Sequence, residues 1–243
     1  MFSIEFLHAI RTAELGEALT YIAPASCVLE IGGGTGFQAR LLHEAGHSVE
    51  CIDRPGSTYA GQRVFAVRDY DGARIPYRDG AFEAVFSSNV LEHIPDLPPL
   101  LGEIRRVLKP GGRCIHIMPS PAWRLWTIAT HYPNLPLLLW GRGRGDNPFP
   151  AVAQRSLPHL LLRAAWPGPH GESGTMLGEI RLFSRKTWLA RFAALGFAPV
   201  AVRPVGLFYT GNMLLGPHLS IAARRRIAPF LGNAATLYVL ETR

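Results

Sequence analysis

The sequence predicts an α/β fold built on a doubly wound, mostly parallel sheet. Three observations carry that prediction. Apolar strand-like runs alternate with helix-like segments from residue 4 onward, the links between them are short, and a glycine cluster follows the first apolar run directly. Repeated β/α units with a ligand loop at a strand end have this form.

Residues 4–21 read as an amphipathic helix that stops before Pro24; acids at Glu5, Glu14 and Glu17 and no basic leader speak against a signal peptide. SCVLEI (26–31) is the first strand, apolar as a strand covered on both faces should be. FQARLLHEAG (37–46) is a helix ending at Gly46, and HSVECID (47–53) a second strand closed by an acid. RVFAVRD (63–69) is strand three, and DGAFEAVFSS (79–88) leads into strand four. DLPPLLGEIRRVL (96–108) is a helix capped by Asp96, with its two prolines in the first turn, where proline is tolerated. KPGG then turns the chain into RCIHIMP (113–119), strand five.

After Pro119 the pattern breaks. Residues 120–180, rich in Pro, Gly, Trp and Leu, are too long for a plain connection and read as an insertion covering the site. FSRKTWLARFAALGF (183–197) is a helix from a Ser184 cap to a Gly196 stop, and PVAVRPV (199–205) and ATLYVLET (235–242) close the sheet. The expected organisation is a ligand-binding part at 1–119 and a cap at 120–183. A C-terminal helix and closing strands follow at 184–243, with a second insertion at 206–234.

The segment LEIGGGTGF (29–37) holds four glycines in five positions. Glycine in an ordered element costs about 0.5–1 kcal/mol relative to alanine, so this loop needs positive φ, close ligand approach, or both. GxxxxGK[ST] is absent, and GxGxxG from Gly32 fails because position 37 is Phe. The spacing present is ExGxGxG over Glu30, Gly32, Gly34 and Gly36.

Asp53 closes strand two, and Asp69, followed by Tyr70, closes strand three. The runs DYDGARIPYRDGAFEAVFSSNVLEHIPD (69–96) and EIRRVLKPGGRCIHI (103–117) come next in order. Over roughly residues 25–118 these motifs together resemble the class I S-adenosylmethionine-dependent methyltransferases, in particular the small-molecule subgroup of the ubiquinone and menaquinone methyltransferases. Glu83 departs from the Asp usual in that family.

The resemblance implies a Rossmann-like sheet of seven mostly parallel strands with an antiparallel last strand, and S-adenosyl-L-methionine as cofactor. Gly32, Gly34 and Gly36, with the next helix N-terminus, would receive the methionine part. Asp53 and Arg54 would meet the ribose, Asp69 and the backbone at Tyr70 the adenine, with Ser88 and Asn89 completing the set. Glu30 would organise the loop or meet the cofactor's amino group.

A sulfonium methyl is already electrophilic, so such a protein mainly aligns the acceptor and excludes water. His93, His131 and His170 are the candidate catalytic bases, with Tyr132 and Tyr209 as orienting groups and His218 read as a surface or packing residue. SSNVLEHIP stands where methyltransferases of nucleobase amines often carry [DNS]PP[YF], so nucleic acid is an unlikely substrate.

Charge divides the chain. Residues 1–112 carry 10 Arg and Lys against 14 Asp and Glu, residues 113–243 carry 15 against 4, and all five tryptophans lie in the second part. WRLWTIATHYPNLPLLLWGRGR (123–144) and VGLFYTGNMLLGPHLSIAARRR (205–226) mix aromatic, aliphatic and basic residues. That composition suits a small apolar or lipid-linked acceptor and an anionic membrane surface. No apolar run reaches the ~20 residues of a membrane span. Cys27, Cys51 and Cys114 show no CxxC or Cys/His ligand spacing, so reduced thiols, no metal and a cytoplasmic, optionally membrane-associated, location are expected. The rival readings are a non-catalytic S-adenosylmethionine-binding module and an RNA methyltransferase using the basic half.

Overall fold

A computed structural model describes residues 4–56, 60–133, 170, 175, 177–211, 213 and 215–242. The strands are β1 (Cys27–Ile31), β2 (Ser48–Asp53), β3 (Arg68–Asp69), β4 (Phe82–Ser88), β5 (Leu108–Pro119), β6 (Phe197–Pro204) and β7 (Ala235–Thr242). They form one sheet in the order β3-β2-β1-β4-β5-β7-β6. The first five run parallel, and β7 is antiparallel to both β5 and β6. Strand order reverses between β1 and β4, the switch point where open α/β sheets bind ligands.

The helices given in full by the described residues are α1 (Ile4–Leu19), α2 (Phe37–Glu44), α3 (Leu97–Val107), α4 (Pro121–Ala129), α5 (Gly178–Leu182), α6 (Arg185–Ala194) and α7 (Ile221–Leu231). Strand side chains alternate between faces, and each face has its own core. Val28, Phe86, Ile115, Leu237 and Val239 meet Ile10 and Leu15 of α1 and Trp123 of α4. Leu29, Val85, Cys114 and Leu240 meet Leu101 and Ile104 of α3 and Trp188 and Phe192 of α6.

Three local expectations need correction. Strand three shrinks from 63–69 to Arg68–Asp69, because the preceding residues leave the sheet edge to cover the glycine loop: the Val64 N–H donates to the Thr35 carbonyl (2.8 Å). KPGG does not precede strand five but bulges within it, since Phe82 pairs with Leu108 while Ala84 pairs with Arg113. Asp96 makes no side-chain cap bond, whereas Ser184 does cap α6 by accepting from the Thr187 N–H. Most of the expected cap at 120–183 lies outside the described residues.

Glu83 accepts from the Cys27 N–H (2.7 Å) and pairs with Lys109, sewing the start of β1 to β5. Arg106 of α3 donates to the carbonyls of Ile75 (2.9 Å) and Tyr77 (2.8 Å), holding the segment that leads into β4.

In the second insertion, Arg224 of α7 is buried and donates to the carbonyls of Leu219 (2.9 Å), Phe208 (3.0 Å) and Gly216 (2.8 Å), over the ring of Phe6 (4.7 Å). One cation therefore satisfies a loop that has few ladder bonds of its own. Replacing it with methionine should lower unfolding free energy in urea by about 3 kcal/mol, the cost of leaving buried acceptors unmet. A loss below about 1 kcal/mol would show that water reaches those carbonyls.

Candidate functional site

The glycine loop leaves β1 at the switch point and crosses the end of β2. Gly32, Gly34 and Gly36 have φ of 72°, 55° and 74°, left-handed conformations that disfavour side chains. The Gly32 and Gly33 N–H groups donate to the Ile52 carbonyl (2.8 and 3.2 Å), and the Gly34 N–H donates to Asp53 Oδ2 (3.0 Å). Crowding adds to the constraint. A Cβ on Gly32 would meet Val90 at 2.4 Å, one on Gly33 the Cys51 sulfur at 2.0 Å, and one on Gly36 Phe65 at 2.7 Å. At Gly32 and Gly36 the side chain is thus excluded by the protein's own packing as well as by φ.

Beneath the loop Glu30 is buried, accepting from the Cys51 thiol (3.5 Å) and from the Ala39 N–H in the first turn of α2. It supports the loop from below. Burial, reinforced by nearby Asp53, pushes its pKa up to about 8 against the pull of those two hydrogen bonds.

Asp53 and Asp69 are direct register partners at the C-terminal ends of β2 and β3. Asp53 is half-buried and also accepts from the Arg54 N–H (2.8 Å); Asp69 is exposed and paired with Arg63 (2.5 Å). The Tyr70 N–H is spent on the Asp53 carbonyl (3.0 Å), and Arg54 is exposed. Two neighbouring carboxylates beside a glycine loop fit a ligand rich in hydroxyl and amino donors, as an adenosyl group is. The residues present therefore fit such a group.

On the other side of the switch point Ser88 and Asn89 end β4, and Asn89 has φ 54°. With its amide oxygen toward α1, as hydrogen bonding demands, Asn89 accepts from Arg11 Nη1 (2.5 Å). Arg11 in turn pairs with buried Glu14 (2.5 Å), whose other oxygen accepts from the Tyr209 hydroxyl (2.6 Å). Sequence reading passed over Arg11, Glu14 and Glu92. Acids three residues apart from an arginine on an N-terminal helix look like surface charges, and only the buried i, i+4 neighbours Ile10 and Leu15 hint otherwise.

Leu91–His93 form a 3-10 turn after β4. The Glu92 carboxylate is buried, and neither oxygen has a side-chain hydrogen-bond partner. Burial raises its pKa to about 8. The structure brings two of the three candidate histidines together: the His93 and His170 rings lie 4.8 Å apart, and His170 also meets Trp123 (4.6 Å). Desolvation by the rings packed against it, with the charges of His93, Arg124 and Arg11, pushes the pKa of His170 down, although the residue keeps an exposed face. His131 instead meets Tyr132 (5.2 Å), and His218 is exposed. Arg124 and Glu179 form a buried ion pair (2.8 Å) between α4 and α5, and Glu179 also accepts from the His170 N–H (2.7 Å).

With this geometry in hand, the relatives are informative. Residues 29–116 match the family described as methyltransferase domain. An uncharacterized methyltransferase of Mycobacterium sp. (strain JLS) is 35% identical over 143 residues, covering 57% of this chain and 56% of that protein. A ubiquinone/menaquinone biosynthesis C-methyltransferase UbiE of Desulfotalea psychrophila is 32% identical over 109 residues, 40% of this chain and 43% of that one. The chain thus spans about half the length of these curated relatives. The crystal structure of an S-adenosylmethionine-dependent methyltransferase from Mesorhizobium loti shares the fold, with TM-score 0.56 at 19% identity over 95% of this chain and 98% of that one. Over residues 29–116 the chain thus resembles the methyltransferase domain, and it shares its fold with solved S-adenosylmethionine-dependent methyltransferases.

Glu30 makes a pH prediction. Its pKa rises from 4.5 unfolded to about 8 folded, so its contribution to stability is full below about pH 4.5 and is lost as pH climbs through 8. Urea unfolding at pH 5 and pH 8 should show Glu30→Gln losing less stability over that interval than the wild type, by on the order of a few kcal/mol. Equal losses would show that Glu30 is ionised in the folded protein.

Proposed function

We propose that the protein transfers a methyl group from S-adenosylmethionine to a small, apolar or lipid-linked acceptor. The observation that carries this reading is the side-by-side placement of Asp53 and Asp69 next to the pinned glycine loop. When bound, the cofactor supplies a methyl group on a positively charged sulfur. The chain's own task is to fix the adenosyl end through the two carboxylates and to present the acceptor beyond β4. There Asn89, Arg11 and the His93–His170 pair form a polar rim, and Trp123 and Phe183 an apolar wall.

Support for an apolar acceptor comes from a cleft of about 320 Å³ beside Glu92, lined by Leu91, Ile94, Leu182, Phe183 and Trp188. Support for a membrane-associated acceptor comes from α4 and α7. The Trp126 indole N–H donates to the Leu231 carbonyl (2.7 Å), joining the two helices, and Leu125 (52% exposed) and Phe230 (87% exposed) project beside exposed Arg226. None of the described helices is long and apolar enough to cross a membrane.

Calorimetric titration with S-adenosylhomocysteine should give saturable binding, weakened by about 1–3 kcal/mol in Asp53→Ala, the value of charged hydrogen bonds. Absence of binding by the wild type would overturn the reading. For the membrane part, sedimentation with phosphatidylserine vesicles at low salt should pull down the wild type and lose much of Phe230→Ser; a protein left in the supernatant removes the lipid-surface element.

A further inference from the structure

Glu92 presents an unresolved problem in electrostatics. A buried carboxylate without hydrogen-bond donors from its surroundings is costly, yet neither oxygen has a side-chain donor, and only its own backbone N–H and the more distant Arg11 favour the charged form. Its charged surroundings do not settle the matter. Arg11 is the nearby cation, but it is already paired with Glu14 at 2.5 Å and also faces Asn89. With Arg11 and Glu14 balancing each other, an ionised Glu92 leaves one uncompensated negative charge under the acceptor end of the site.

Two imidazoles stand next to that carboxyl group. The ligand atoms of Glu92, His93 and His170 all lie within 4.8 Å of one another, and His93 Nε2 is 3.9 Å from Glu92 Oε1. Donor atoms around a zinc ion at ~2.1 Å bond lengths are about 3.4 Å apart at a tetrahedral angle. Side-chain rotation on the order of 1 Å therefore converts the observed cluster into a coordination set.

We propose that Glu92, His93 and His170 form a binding site for a divalent transition-metal ion of the zinc type. Two neutral nitrogens and one carboxylate oxygen suit such an ion better than magnesium, which prefers oxygen ligands. The ion supplies a positive charge beside the Glu92 carboxylate, which binds it in the ionised form. Three protein ligands leave at least one coordination position open. The site joins the turn after β4 to residue 170. That the open position orients an acceptor oxygen and lowers its proton affinity rests on the methyltransferase reading; the binding of the ion does not.

The test uses tag-free full chain stripped with a chelator. Zinc chloride is titrated by calorimetry and cobalt chloride by visible absorption, with S-adenosylhomocysteine titrated separately on the same samples. The expected result is one ion per chain and a cobalt spectrum of low coordination number. His170→Ala and Glu92→Gln should each weaken binding by more than the roughly 10–100-fold that loss of a mere outer partner costs. No saturable zinc binding, or an affinity unchanged in His170→Ala, overturns the proposal. Residue 170 is exposed, so that variant decides the matter even where Glu92→Gln fails to fold. Cofactor binding without zinc binding sinks this inference alone; zinc binding without cofactor binding sinks the methyltransferase reading alone.

Discussion

The site depends on how the glycine loop is pinned to the end of β2. Three consecutive N–H groups, from Gly32 to Gly34, turn toward the Ile52 carbonyl and the Asp53 carboxylate. An L-residue pays roughly 1–2 kcal/mol for the left-handed region, and the loop enters it at Gly32, Gly34 and Gly36. The β1–β2 register, Glu30 opposite Cys51 and Ile31 opposite Ile52, sets where those donors arrive. The β2–β3 register then puts Asp69 beside Asp53. A slip in either ladder would separate the loop from both carboxylates.

A second level of order comes from buried charge. Glu14 satisfies both oxygens through Arg11 and Tyr209, which ties α1 at one end of the chain to the second insertion at the other. Arg124 and Glu179 join α4 to α5 in the same way and, through the His170 N–H, fix the backbone beside the histidine pair. Buried ions persist when paired and hydrogen-bonded. Glu92 differs from these pairs in that both of its carboxylate oxygens lack a side-chain partner.

Much of this was legible in the sequence because the relevant chemistry is local. The order of strands and helices, the ExGxGxG spacing and the strand-terminal acids are encoded within a few residues each, and the structure reproduces Ala235–Thr242 as the last strand without adjustment. What was not legible depends on long-range contacts. RVFAVRD has the apolar alternation of a strand, but Phe65 and Val67 are used against Gly36 rather than in the sheet. KPGG looks like a turn, and only the pairing of Phe82 with Leu108 reveals it as a bulge. His93 and His170 are 77 positions apart, so no ligand spacing could announce their meeting with Glu92.

The charge imbalance between the two halves also changes meaning once it is folded. Several arginines of the basic half are structural: Arg124 and Arg224 are buried, and Arg203 and Arg225 both pair with Glu17 of α1 (3.1 and 2.9 Å). The field offered to an anionic partner is therefore smaller than the composition suggests. It is also more local, because exposed Arg226 shares α7 with Phe230, the most exposed of the large apolar residues described. Screening within about 8–10 Å at physiological salt then confines the reach of that charge to groups close to the helix itself.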